Sequence, residues 1–302
     1  MSTPESRHTK PGRMTSPGKF EALLRAIPRE LPELVRAIQG LQIHEYMLGC
    51  YGVTVPEERK RESHVRRLDH MLSVLHARDA RPLDVARPPA ERNIGVCRHF
   101  TVLLVAALRA HGYAARARVG FGSYLNPPRF EDHWVGEYWS ERESRWVLVD
   151  AQLDAVQRSA MKVDFDPLDV PRDRFVVAHD AWTRCRRGDV DAARFGFSPA
   201  GLIGLWFIGA SLIRDAAALH GYELLPWDVW GAMTKPNAAL TPAELAFYDR
   251  LARLTAAPDE HARELRALFD EGDGLKPGST VWNDRLQLSE EIDRMPAGVP
   301  AA

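Results

Sequence analysis

The chain has 302 residues, 45% of them hydrophobic and 27% charged, with a formal charge of −1 from 40 basic and 41 acidic side chains. This is the composition of a globular protein, large enough to bury one big core or two modest ones. The balanced charge gives no general attraction to polyanions, so neither nucleic acid nor an anionic membrane is expected as a partner.

Residues 1–18 are polar and rich in Pro, Ser and Thr. They lack an apolar h-region, so they do not read as a secretory signal, and a cytoplasmic protein with a disordered N-terminal tail is expected. From about residue 19 to 92 the pattern is helical. Val65, Leu68, Met71, Leu72 and Leu75 fall on one helical face, and the proline-rich run Arg81–Asn93 reads as a surface linker. The next segment, Cys97 to His111, carries Phe100, Leu103, Leu104, Ala107 and Leu108 at helical spacing, with Val102, Val105 and Ala106 on other sides. It predicts a buried central helix ended by Gly112 at the C′ position.

Three strands are predicted next: Tyr113–Phe121, Glu131–Trp139 and Arg145–Ala151, the last two joined by the polar turn SERES. Arg116 and Arg118 mark one face of the first strand. The expected core spans residues 93–162. Residues 163–294 form a mainly helical extension, and 295–302 a second tail. Pro199–Ile213 is apolar but shorter than the ~20 residues that span a bilayer, so it predicts a buried helix.

The chemistry-bearing residues lie in the core. Cys97 opens the buried helix, where the macrodipole and unpaired N–H groups favour a thiolate and could bind an oxyanion. A lone cysteine is more often a small core hydrophobe, and Cys50 and Cys185 take that reading. Three cysteines over this length do not make a disulfide framework. In the predicted hairpin, pairing Trp139 with Ser144 also pairs His133 with Asp150. Directly opposite residues have Cβ atoms ~5 Å apart, close enough for a carboxylate to orient an imidazole.

The runs GVCRHFTVLLVAALRAHGYAARARVGFG, DHWVGEYW and RWVLVDAQLD resemble the catalytic core of the transglutaminase-like superfamily, over about Asn93 to Asp154. The superfamily includes transglutaminases, bacterial peptidases and peptide-N-glycanases, and is papain-like in fold. The resemblance implies an α+β fold, with the helix that begins at the cysteine packed on an antiparallel sheet. It implies Cys97 as nucleophile, His133 as general base and acid, and Asp150 as the third member. Where relatives often have Cys-Arg-Asp, this chain has Cys97-Arg98-His99, and His99 is read as structural. No tryptophan precedes Trp134, so the aromatic donor that animal transglutaminases place before the cysteine has no counterpart here. The second oxyanion donor is therefore unassigned, and protein cross-linking is not implied.

The expected activity is acyl transfer through a thioester on a small-molecule or peptide-like amide, ending in hydrolysis or in transfer to an amine. The alternative is a binding module that keeps the fold without catalysis. No cofactor is expected. The Cys97-x-His99 pair lacks a second zinc-ligand pair, and Asp164, Asp166 and Asp169 lack the glycine and glutamate of a calcium loop. The sequence carries no signal of oligomeric state.

Overall fold

The computed structural model describes residues 8–271 and 274–299. It is an α+β structure of two units. One comprises Met1–Ala117, Val135–Val170 and Asp293–Ala302, and the other Arg118–Trp134 and Pro171–Ile292.

The first unit begins with α1 (Glu21–Arg25) and α2 (Leu31–Leu41), followed by β1 (Gln42–His44), 3-10 turns at Glu45–Tyr51 and Glu57–His64, and α3 (Leu68–Arg78). Next come β2 (Asn93–Gly95), parallel to β1, and α4 (Cys97–Ala110). All of α4 from Cys97 to Arg109 is buried, as expected of a helix apolar on every side. Gly112 leaves it at φ +84°, a conformation that costs glycine nothing. The unit is completed by parts of β3 (Ala115–Gly122) and β4 (Phe130–Ser140), by β5 (Arg145–Val149), and by α5 (Ala155–Met161). A Cβ added at Gly136 would lie 2.5 Å from Leu104 Cδ2, so glycine here lets β4 approach α4 closely.

Two expectations need correction. In the hairpin, Ser140 pairs with Arg145 and Gly136 with Val149. This is two positions out of step with the register that sets His133 opposite Asp150, and one further step places Asp150 across from Val135. The turn takes residues 141–144, with Glu143 N–H on Ser140 O (3.2 Å) and Ser144 at φ +50°. Because the offset is even, the alternation of side chains is kept.

The tails also differ. Residues 1–7 and 300–302 lie outside the described residues. Residues 8–18, by contrast, are packed: Met14 and Thr15 are fully buried, Met14 O accepts Leu68 N–H (2.9 Å), and Arg109 donates to Thr15 Oγ1 (2.9 Å).

In the second unit, the end of β3 pairs with β6 (Phe175–Val177), and the start of β4 with β7 (Phe195–Phe197), which pairs with β8 (Leu202–Ile203). Helices α6 (Ala178–Arg187), α7 (Leu205–Leu219) and α8 (Pro242–Ala256) pack together, and α9 (Ala262–Asp270) packs on α7 and α8. The apolar run from Pro199 becomes helical only at Leu205, because Gly201 and Gly204 take φ of +69° and +109°. A small antiparallel sheet holds β9 (Asp228–Val229), β10 (Thr280–Asn283) and β11 (Leu288–Glu291). These strands of two to four residues are too short to show a period, which hid them within an extension read as mainly helical. No described helix is long and apolar enough to cross a membrane.

The arginines of β3 do not face water. Arg116 is 3% exposed and meets Glu137 at 2.8 Å within the first unit. In the second unit, Arg118 holds Asp215 with two bonds of 3.0 and 2.9 Å, and Val119 N–H adds a third at 2.9 Å. Removing one partner of a buried pair strands the other charge. Asp215→Ala is therefore expected to destabilise the fold by about 3–5 kcal/mol, read as a fall in the denaturant midpoint.

Candidate active site

Cys97 is positioned by its approach segment. Glu62, 5% exposed, accepts Ile94 N–H on Oε2 (3.0 Å), while Arg59 (2.8 Å) and Arg78 (2.5 Å) hold its Oε1. Asn93 Nδ2 donates to Met71 O (2.8 Å), so β2 is tied on both flanks. At the helix start, Val96 N–H donates to His99 Nδ1 and His99 Nε2 donates to Val65 O, each at 3.1 Å. A ring nitrogen that accepts an N–H carries no proton, so His99 is held as the Nε2–H tautomer. Gly95 makes room for this cap, since a Cβ there would lie 2.8 Å from His99 Cβ and Cγ. Arg98, fully buried, donates to Val65 O (3.3 Å) and to Arg66 O. The first turn of α4 is thus fastened to residues 62–66, and Cys97 sits at its start, 6% exposed.

His99 therefore works as a capping residue rather than as a charge beside the thiol. Burial first, and then the Arg98 guanidinium, hold its imidazole well below the ordinary range, with His44 and His64 adding smaller effects in the same direction. The sign of the pH effect follows. Above pH ~6.5 the ring is neutral in both folded and unfolded chains, and stability does not change on its account. Below pH ~6.5 only the unfolded chain takes the proton, so stability falls as pH falls, by up to about 1.4 kcal/mol per pH unit. His99→Gln should lose about one proton's worth of this slope in denaturant melts from pH 7.5 to 5.

Asp150, 1% exposed, follows β5 in the same unit as Cys97. Its N–H donates to Pro167 O (2.8 Å), and its Oδ1 accepts Gln152 N–H (3.0 Å), which fixes the carboxylate within a local turn. His133 belongs to the second unit, 1% exposed, with its ring edge-on to Tyr124 (centroids 5.9 Å apart) and Phe175 (6.2 Å). Beside it, burial pushes the Asp132 carboxyl up to about 6, while Arg214 and His133 act in the opposite direction.

The other two cysteines differ from Cys97. Cys50 is exposed, contrary to its reading as a core residue, and burial pushes the Cys185 thiol up to about 11. Sequence reasoning missed Glu62 and the anchoring role of Val65. The capping role of His99 had one visible signal, its place three residues after the helix N-cap, where a side chain can reach back to the backbone.

Residues 55–151 match the family model of the transglutaminase-like superfamily, a span that runs from the turn bearing Glu62 to just past Asp150. A solved structure from Cytophaga hutchinsonii, named as a candidate cysteine protease, is similar over 59% of this chain and 46% of its own, at 20% identity and a TM-score of 0.33. The match thus spans less than half of that protein, a likeness too slight to support an inference. No curated protein matches the chain. The helix that opens at Cys97 and the strands that lead to Asp150 lie inside the matched span, and the chain carries a domain of the transglutaminase-like superfamily over residues 55–151.

Proposed function

We propose that the chain is a cysteine-dependent acyl-transfer enzyme acting on an amide or peptide-like substrate, with Cys97 as nucleophile, His133 as base and acid, and Asp150 orienting His133. The observation that carries this reading is the placement of Cys97 at the first position of α4, inside the matched span, with its approach fastened by Glu62 and His99. The first N–H groups of a helix have no partner within it, so they can stabilise the oxyanion formed when a thiolate attacks a carbonyl.

In the proposed cycle the Cys97 thiolate attacks the carbonyl and His133 protonates the leaving amine. Water or a second amine, deprotonated by His133, then resolves the thioester. Water gives hydrolysis and an amine gives transfer, and the same three residues serve both.

Iodoacetamide labelling with peptide mapping across pH tests the reading. Cys97 is expected to be alkylated faster than the exposed Cys50 below pH ~8.5, the ordinary thiol value, with Cys185 last. Labelling of Cys50 first at every pH would overturn it.

A further inference from the structure

Beside Asp150 runs a chain of hydrogen bonds that the acyl-transfer cycle does not use. Tyr51 Oη donates to Asp154 Oδ2 (2.7 Å) and accepts from Gln157 Nε2 (3.0 Å). Gln157 Oε1 in turn accepts from Gln152 Nε2 (2.8 Å).

The direction of every bond is fixed from one end. Asp154 accepts Gln157 N–H on Oδ1 (3.0 Å) and lies 4.0 Å from the Arg92 guanidinium, so it acts as an acceptor. Burial above all pushes the Tyr51 hydroxyl up, so it keeps its proton and donates. Its oxygen must then accept from Gln157 Nε2, which leaves Gln157 Oε1 to face Gln152 Nε2. Turning the Gln152 amide over would set two carbonyl oxygens against each other.

The chain therefore ends in an acceptor, Gln152 Oε1. Gln152 is 3% exposed, and this oxygen is buried with no donor among the described residues. A buried acceptor without a donor costs free energy that a ligand's N–H recovers. Its position is also informative, because Gln152 N–H is bonded to the Asp150 carboxylate (3.0 Å).

We propose that Gln152 Oε1 accepts a hydrogen bond from a backbone N–H of the acyl-donor substrate, so that Gln152 selects peptide-like amides over esters. The inference rests on the acyl-transfer reading and names the substrate feature that reading lacks. Tyr51, Gln157 and Asp154 serve as positioning residues that hold the acceptor oxygen outward from the chain of bonds.

The test uses bromoacetyl-tetraalanine amide and four analogues, each with one backbone N–H replaced by an ester oxygen. Labelling rates at Cys97 are divided by those with glutathione, which removes intrinsic differences in the electrophile. In the full-length wild-type chain, one of the four replacements is expected to slow labelling about tenfold (about 1.4 kcal/mol), and the others little. Gln152→Met, similar in volume but without the acceptor, should label with all five probes alike. Gln157→Met, which leaves Gln152 in place but frees its amide to turn, should discriminate less than wild type. Equal labelling of wild type by all five probes overturns the inference, as does undiminished discrimination by a Gln152→Met protein that melts normally. If Gln152→Met does not fold, Gln157→Met decides: discrimination equal to wild type overturns the inference. Failure of Cys97 to label ahead of Cys50 removes the thiol reading and the inference together. Normal labelling without N–H discrimination removes the inference alone.

Discussion

Cys97→Ala is expected to fold and to lose turnover on the order of 10⁶-fold, the scale seen when a triad nucleophile is removed. The structural cost is small, because the change deletes one sulfur atom at a site whose backbone is held by other groups. Glu62 still binds Ile94 N–H, His99 still caps the helix, and Arg98 still reaches Val65 O. A loss of about 1 kcal/mol or less in stability is expected from so small a cavity. Thermal melts paired with kinetics on a confirmed amide substrate check both halves. A well-folded variant with undiminished turnover would end the thiol mechanism.

The other two proposed members should show a graded loss. His133→Ala removes the group proposed to move the proton at both steps, and general acid–base catalysis contributes ~10²–10⁴-fold. Asp150→Asn keeps the shape of the side chain, and Asn can still accept Gln152 N–H as the carboxylate does at 3.0 Å. What it loses is the charge that, on the proposed reading, orients the His133 imidazole and stabilises its protonated form. In serine triads that loss costs ~10⁴, and a thiol, already partly ionised near neutral pH, should suffer only ~10–10³. The reduction should appear in kcat with KM little changed, since the carboxylate is not assigned a contact with substrate. If Asp150→Asn matches wild type, Asp150 is a structural residue of its turn.

The elements that carry these residues were legible where a period was long enough to read. Helix α4 announced itself through burial on every side and through Gly112, and the strands around it through runs of Val, Trp and Tyr. The hairpin register was not legible. The turn takes residues 141–144 with Ser144 at φ +50°, a conformation that the polar SERES segment does not announce. The partners of the two β3 arginines, Glu137 and Asp215, lie 21 and 97 residues away, so the strand's own pattern could not name them. Met14 was lost in a polar segment, since a single apolar residue has no period, and the Leu68 N–H that its backbone carbonyl accepts is far off in sequence. Gln152 could be named as an acceptor near Asp150, but its orientation depends on Tyr51, which is distant in sequence.

The central claim is that Cys97 carries the acyl group, and a trapped thioester tests it most directly. The protein would be mixed with p-nitrophenyl acetate, quenched in acid, digested and mapped by mass spectrometry. The account predicts one acetyl group on the peptide containing Cys97, released by neutral hydroxylamine and absent from Cys97→Ala, with Cys50 and Cys185 unmodified at the same time point. Acetylation at another residue, or equal acetylation of wild type and Cys97→Ala, would contradict it.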